Sequence, residues 1–216
     1  MDFHILDTET SGLGKSAGVC EIAWLKVDKD LNILEEFVSL VNPECEIEQG
    51  AMHIHGITQE DVYGKPTLSE IAKSLPESIN LIGHNSQFDK RIIKSAIKVD
   101  TEICTLKLAR NFLKTVTNHK LETLQKELNL SVQDSHSALG DVRTCRELLL
   151  HLMQNFDVTL DNLLARQGIP TMLHTMPFGK HKGRVIANIA PDYRAWLLNQ
   201  EIDADLRYTL EKLKGI

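Results

Sequence analysis

The feature that most constrains the fold is where the apolar runs of this chain stop. His4-Ile5-Leu6 runs into Asp7-Thr8-Glu9 and then Gly12, and Ile79-Asn80-Leu81-Ile82 leads through Gly83-His84-Asn85-Ser86-Gln87-Phe88 to Asp89. Short apolar runs bounded by glycine read as buried strands. A carboxylate at the end of such a strand stands where an open α/β sheet usually builds its site. Residues two apart on a strand share a face, so Asp7 and Glu9 project together. A fourth acid, Asp141, lies one turn inside the longest helically periodic segment, and His136 stands five residues before it. On one continuous helix that separation turns the two side chains roughly 140° apart. His136 is therefore expected on the loop before the helix, with Ser137 as N-cap.

The rest of the chain supplies a framework for these positions. Val19–Val27 and Asn32–Val41 are apolar, β-branched stretches separated by Asp28-Lys29-Asp30, which reads as a hairpin turn, and Gly12–Gly18 links the first of them to the His4–Asp7 strand. Helical spacing covers Leu68–Leu75 up to Pro76, Phe88–Ala96, Thr105–Leu113, a segment marked by Leu121, Leu124, Leu128 and Leu130, and Ala138–Phe156; Glu102–Cys104 reads as a further short strand. Three strands in a row followed by helices predict an α/β fold, a mixed β-sheet flanked by helices. Gln167-Gly168-Ile169-Pro170 breaks the pattern. The expected organisation is a domain over 1–166, a linker over 167–177, and a small C-terminal module over 178–216. That module opens on the basic turn Phe178-Gly179-Lys180-His181-Lys182-Gly183-Arg184 and continues as helices over Tyr193–Asn199 and Asp205–Leu213.

Composition excludes several classes. With 42% hydrophobic and 25% charged residues the 216-residue chain is globular rather than disordered. Its longest apolar stretches are a few residues, too short for a membrane span, and Asp2 replaces the basic start of a secretory signal. Four scattered cysteines with no C-x-x-C pair argue against a zinc ribbon and predict reduced thiols in a cytoplasmic protein. Net charge is −6, but residues 171–216 hold seven Lys/Arg against five Asp/Glu, so +2 falls there and −8 on residues 1–170.

Carboxylates gathered from strand ends and a helix suit hard divalent cations, Mg²⁺ or Mn²⁺. Two such ions about 4 Å apart can serve both the attacking and the leaving oxygen of a phosphodiester, and they would bring the charge of the four acids to about zero. Asp7 is expected to bridge both ions, Glu9 to serve one and orient the terminal sugar, and His136 to take the proton of the attacking water. Each motif alone is weak; their order and their positions at element ends carry the reading. His53 and His55 lack a third zinc donor nearby. Lys107 and Arg110, three apart on one helix face, are candidates for contact with a phosphodiester backbone, and the Phe178–Arg184 turn for phosphate contact.

Asp7-Thr8-Glu9, His84-Asn85-Ser86-Gln87-Phe88-Asp89 and His136-Ser137-Ala138-Leu139-Gly140-Asp141, together with Met52-His53-Ile54-His55-Gly56-Ile57-Thr58, resemble the motifs of the DnaQ-like exonucleases of the DEDDh subgroup. The likeness extends over residues 3–155. Within the family, Ile103–Arg110 and the Phe178–Arg184 tail are most similar to the exodeoxyribonuclease X branch. The resemblance implies an RNase H-like fold and 3′→5′ exonuclease activity on DNA releasing nucleoside 5′-monophosphates, at single-stranded ends and frayed duplex ends, in repair or recombination. It also implies that Thr10, Gly12 and Leu13 line the pocket for the terminal nucleotide, with Leu13 against the last base, and that His55, Ile57, Asn85 and Phe88 border it. DNA stands ahead of RNA as partner, a homodimer is compatible with the reading, and no membrane is involved. The rival readings are an RNase T-like or oligoribonuclease-like RNA exonuclease, a polymerase proofreading subunit, and a non-catalytic nucleic-acid-binding protein.

Overall fold

The first three strands, β1 (Phe3–Thr10), β2 (Val19–Val27) and β3 (Ile33–Leu40), form an antiparallel meander in which Phe3 pairs with Val27 and Asp7 with Ala23. The computed structural model describes every residue except Lys15, Thr117, residues 132–136 and Ile216. The β2–β3 turn is closed by Asp28, whose Oδ1 accepts the backbone N–H groups of Asp30 and Asn32, both at 2.9 Å. Leu31 in that turn takes a φ of 62° and is fully buried. The left-handed backbone costs a leucine about 1–2 kcal/mol, and burying its side chain returns about 1.5–3 kcal/mol, so the core contact decides the turn's shape.

After α1 (Gln49–His55) and α2 (Leu68–Ile71) the chain returns as β4 (Ser78–Gly83), parallel to β1; α3 (Gln87–Ile93) then crosses over to β5 (Lys98–Cys104), parallel to β4. The sheet order is β3-β2-β1-β4-β5. β1 is thus the strand at which direction changes, antiparallel to β2 and parallel to β4. Its register with β4 sets His4 against Leu81 and Ile5 against Ile82, so from Asp7 onward β1 runs past the end of β4. That leaves a crevice at the carboxyl ends, where open α/β sheets bind ligands.

Period-two burial assigns the two faces. Phe3, Ile5, Ala23 and Leu25 pack with Leu108 of α4 (Thr105–Phe112), Leu124 of α5 (Leu121–Glu127), Val142 and Leu149 of α6 (Ala138–Phe156) and Leu163 of α7 (Leu160–Ala165). Leu6, Ile22, Trp24 and Leu81 pack on the other face with Ile71 of α2 and Ile93 of α3. Trp24 is fully buried and stacked on Phe37 with ring centroids 3.9 Å apart.

The chain divides into two compact units, Met1–Gln167 and Gly168–Ile216. In the second, α8 (Pro191–Leu198) and α9 (Ala204–Lys212) enclose a core of Leu173, Met176, Ile186, Leu197, Leu206 and Leu210. The linker expected over 167–177 has to be corrected. Thr171 N–H donates to the Asp205 carboxylate at 3.0 Å and Leu173 N–H to Thr209 Oγ1 at 2.8 Å, while Leu173 and Met176 are buried. Ordering these residues is repaid by satisfied backbone groups and apolar burial. Among the described residues no helix is long and apolar enough to cross a membrane.

Candidate active site

The face assignment decides which acids meet. Asp7 and Glu9 continue the register of Phe3 and Ile5 and so lie on the side of the sheet covered by α6. α6 begins there on its N-cap Ser137, whose side chain accepts the N–H of Gly140 at 3.1 Å. Asp141 falls in the first helical turn, facing the strand acids. One carboxylate oxygen from each of Asp7, Glu9 and Asp141 can be chosen so that all three lie within 4.8 Å of one another.

Asp89 arrives by a different route. Thr8, between the two strand acids, points to the opposite face, where α3 packs. Its Oγ1 donates to Asp89 Oδ1 at 2.8 Å in a buried contact. Asp89 therefore stands beside the cluster of three without belonging to it. The route exists because β4 has ended, leaving the edge of β1 open to a carboxylate from α3.

Sequence reasoning missed Glu21. It lies opposite Glu9 in the β1–β2 register, where like charges repel. It is held there because its Oε2 accepts the backbone N–H of Ala138 at 2.8 Å, an otherwise orphaned donor at the start of α6. Glu21 thus ties the helix that carries Asp141 to the strand next to Asp7 and Glu9. A carboxylate on β2 separated from Glu9 by the Gly12–Gly18 link is a signal that register alone would have exposed.

The crowding is visible in the ionisation of the acids. Burial, then the negative charges of Asp89, Asp141, Glu9 and Glu21, push the Asp7 carboxyl well above the ordinary carboxylate range. Burial and the charges of Asp141, Glu21 and Asp89 raise Glu9 to about 7. Burial raises Asp89 to about 7 as well, against the stabilising hydrogen bond from Thr8. Buried carboxylates that oppose each other's charge, all offering hard oxygen donors, fit a divalent cation, which would remove both the repulsion and the desolvation penalty.

The remaining predicted positions are distributed as follows. Thr10 is buried and its Oγ1 donates to the Gly12 carbonyl at 2.8 Å. At Gly12 a Cβ would fall 2.3 Å from the Glu48 carboxylate, so glycine is what lets Glu48 approach. Leu13 is 82% exposed. His55 accepts the Ile57 N–H at Nδ1 (3.0 Å), which leaves Nε2–H to donate to the Thr10 carbonyl at 3.3 Å. This bond fastens the His55–Ile57 segment to the end of β1. Asn85 is exposed with a φ of 72°, and Phe88 is half-buried with the Arg91 guanidinium 5.2 Å from its ring centre. Lys107 and Arg110 are half-buried on α4. His136 lies outside the described residues.

His84, conspicuous in the sequence, is a clamp. Its Nε2 donates to the His119 carbonyl at 2.8 Å and its Nδ1 lies 3.0 Å from Thr105 Oγ1. Burial lowers its pKa to about 4. The neutral ring thereby joins the end of β4 to the start of α4.

Residues 4–149 match the family RNase_T, described as exonuclease. The chain is 32% identical over 218 residues to Exodeoxyribonuclease 10 of Escherichia coli (strain K12), covering 96% of each protein. It is 32% identical over 166 residues to the PolC-type DNA polymerase III of Thermotoga petrophila, a match to 70% of this chain and 12% of that one. The solved structure of Exonuclease X in complex with 5′ overhanging duplex DNA superposes with a TM-score of 0.67 at 31% identity, over 77% of this chain and 99% of that one. The mixed sheet flanked by helices is accordingly the RNase H-like fold of exonucleases. The chain belongs to the DnaQ-like 3′→5′ exonuclease family, in which it is similar to Exonuclease X.

Proposed function

We propose that this protein is a metal-dependent exodeoxyribonuclease that removes nucleoside 5′-monophosphates from the 3′ ends of single-stranded DNA and of frayed duplexes, in repair or recombination. The observation that carries the reading is the convergence of Asp7, Glu9 and Asp141, oxygens within 4.8 Å of one another, in a chain similar along nearly its whole length to Exodeoxyribonuclease 10.

In this reading Asp7, Glu9, Asp89 and Asp141 hold two divalent cations, Mg²⁺ or Mn²⁺. Bound there, such ions neutralise the attacked phosphate and make a water nucleophilic near neutral pH. Asp7 and Glu9 supply oxygens from β1, Asp141 from α6, and Asp89 an oxygen oriented by Thr8. His136 accepts a proton from the attacking water at an imidazole nitrogen and so contributes about 10²–10⁴-fold in rate. Thr10, Gly12, Leu13, His55, Ile57, Asn85 and Phe88 surround the terminal nucleotide. Leu13, 82% exposed, is free to stack against the last base. Lys107 and Arg110 meet the strand's phosphates.

Parallel digestion of DNA and RNA oligonucleotides of one sequence, 5′-labelled and supplied with Mg²⁺, tests the substrate class. Progressive shortening of the DNA from its 3′ end with release of 5′-monophosphates is expected. Faster removal from RNA would replace the reading with an RNA exonuclease, because the 2′-hydroxyl is the only group that differs along the sugar backbone.

A further inference from the structure

In the second unit the basic turn is built as a rigid presentation of cations. Met176 N–H donates to the Arg184 carbonyl, Gly183 N–H to the Met176 carbonyl and Ile186 N–H to the His174 carbonyl, each at 2.9 Å. Gly179 and Gly183 take φ values of 73° and 81°, which tighten the turn between those bonds. Lys180, Lys182 and Arg184 are exposed, and among the described residues none of the three is in an ion pair.

Beside the cations lies an aromatic surface. Tyr193 receives Lys180 Nζ 4.4 Å from its ring centre and the edge of His181 at 4.6 Å, and it stacks on Trp196 at 5.3 Å with the planes 29° apart. Trp196 remains 52% exposed and Phe178 43% exposed, although the unit's own core is filled by aliphatic side chains. Flat apolar rings left in water next to unpaired cations are complementary to unpaired bases strung on phosphates. Charge supports the same occupant, since residues 171–216 are net positive in a chain whose other residues carry −8.

We propose that the Phe178–Arg184 turn and the Tyr193–Trp196 face of α8 form a docking surface for single-stranded DNA. The choice of occupant rests on the exodeoxyribonuclease reading. Trp196 offers a base-stacking plane, and Lys180, Lys182 and Arg184 take consecutive phosphates. A protein partner is the competing occupant.

The test uses the full chain in EDTA, where the strand is not cut, with a fluorescent oligothymidylate followed by anisotropy over a salt series. Trp196→Ala is expected to weaken binding about tenfold, and Trp196→Phe, which keeps a stacking ring, to retain most of the affinity. The paired change Lys180→Glu and Lys182→Glu, on the exposed turn, is expected to flatten the dependence of log Kd on log salt by about 1.4, from roughly 0.7 per phosphate contact on a single strand. Photocrosslinking of 5-bromouracil to peptides of 178–196 would add direct support. Wild-type affinity and salt slope in both Trp196→Ala and the charge-reversed protein would overturn the proposal and leave the surface to a protein. The two readings fail separately. Binding through these residues in EDTA, together with a 3′ end left uncut when Mg²⁺ is supplied, removes the exonuclease reading alone, whereas trimming of DNA in Mg²⁺ with unchanged binding by the variants removes this one alone.

Discussion

Replacing Glu9 by glutamine should stabilise the metal-free protein at alkaline pH and not at acid pH. Burial and the neighbouring charges of Asp141, Glu21 and Asp89 raise the Glu9 carboxyl from 4.5 to about 7. The folded state therefore binds this proton more tightly than the unfolded chain. The associated stability is present below pH 4.5 and is lost as pH rises to about 7. At about 1.36 kcal/mol for each pH unit between the two values, the ionised carboxylate costs at most about 3 kcal/mol above pH 7. Solvent reaches part of the side chain and screens the repulsion, so roughly half that figure is expected. For a domain of this size it corresponds to a rise in Tm of about 3–6 °C. Trp24 lies buried in the first unit, and Trp196, half-exposed, belongs to the second. A Trp196→Phe background thus lets tryptophan fluorescence report the first unit alone. Melts in EDTA should show Glu9→Gln gaining several degrees at pH 8 and almost none at pH 4, and added Mn²⁺ should erase the gain by stabilising the parent more. An equal gain at both pH values, or none at pH 8, would refute the claim that charge crowding sets the energetics of this site.

Other expectations follow from particular contacts. Glu21→Ala removes the acceptor for the Ala138 N–H and should lower activity about 10–100-fold, as loss of an outer support of metal-holding residues typically does; Glu21→Gln keeps an acceptor oxygen and should stay near the parent in steady-state assays. Gly18→Ala would bring a Cβ to 2.1 Å from the Pro43 carbonyl oxygen, a backbone atom that cannot move aside, and should cost about 1–3 kcal/mol in urea unfolding. Gly14→Ala, with open space around it, is the control and should unfold like the parent.

Much of this architecture is legible in the residues, and its failures have physical causes. β1, β4 and α6 announce themselves through period and through what ends them: the acids after apolar runs, the glycine at position 83, and Ser137 before a nineteen-residue amphipathic helix. That Asp7, Glu9 and Asp141 meet follows from the shared face on β1 plus the packing of α6. That Asp89 reaches them from the other face does not, since it depends on where β4 stops. α1 carries no helical signature in the residues because none of its side chains is fully buried and only Ala51 and Met52 touch a small cluster of Cys20, Ile47 and Val62. The segment 168–177 has the glycine, proline and threonine of a linker, yet its backbone partners, Asp205 and Thr209, are 34 and 36 residues away. Glu21 looks like an ordinary polar position of a strand until register sets it against Glu9 and Ala138. Apart from α1, each miss concerns a partner distant in sequence, which local pattern cannot encode.

The central claim is that the carboxylates gathered on β1, α3 and α6 make this chain cut DNA from its 3′ end with divalent cations. Asp141→Asn is the most direct probe, because it deletes one negative charge from the cluster while keeping the side chain's size. With a 5′-labelled single strand and Mg²⁺, the parent should yield a ladder shortened from the 3′ end, and the variant, folded by circular dichroism, should leave the strand intact. A folded Asp141→Asn protein that trims the strand at the parent's rate would contradict the account.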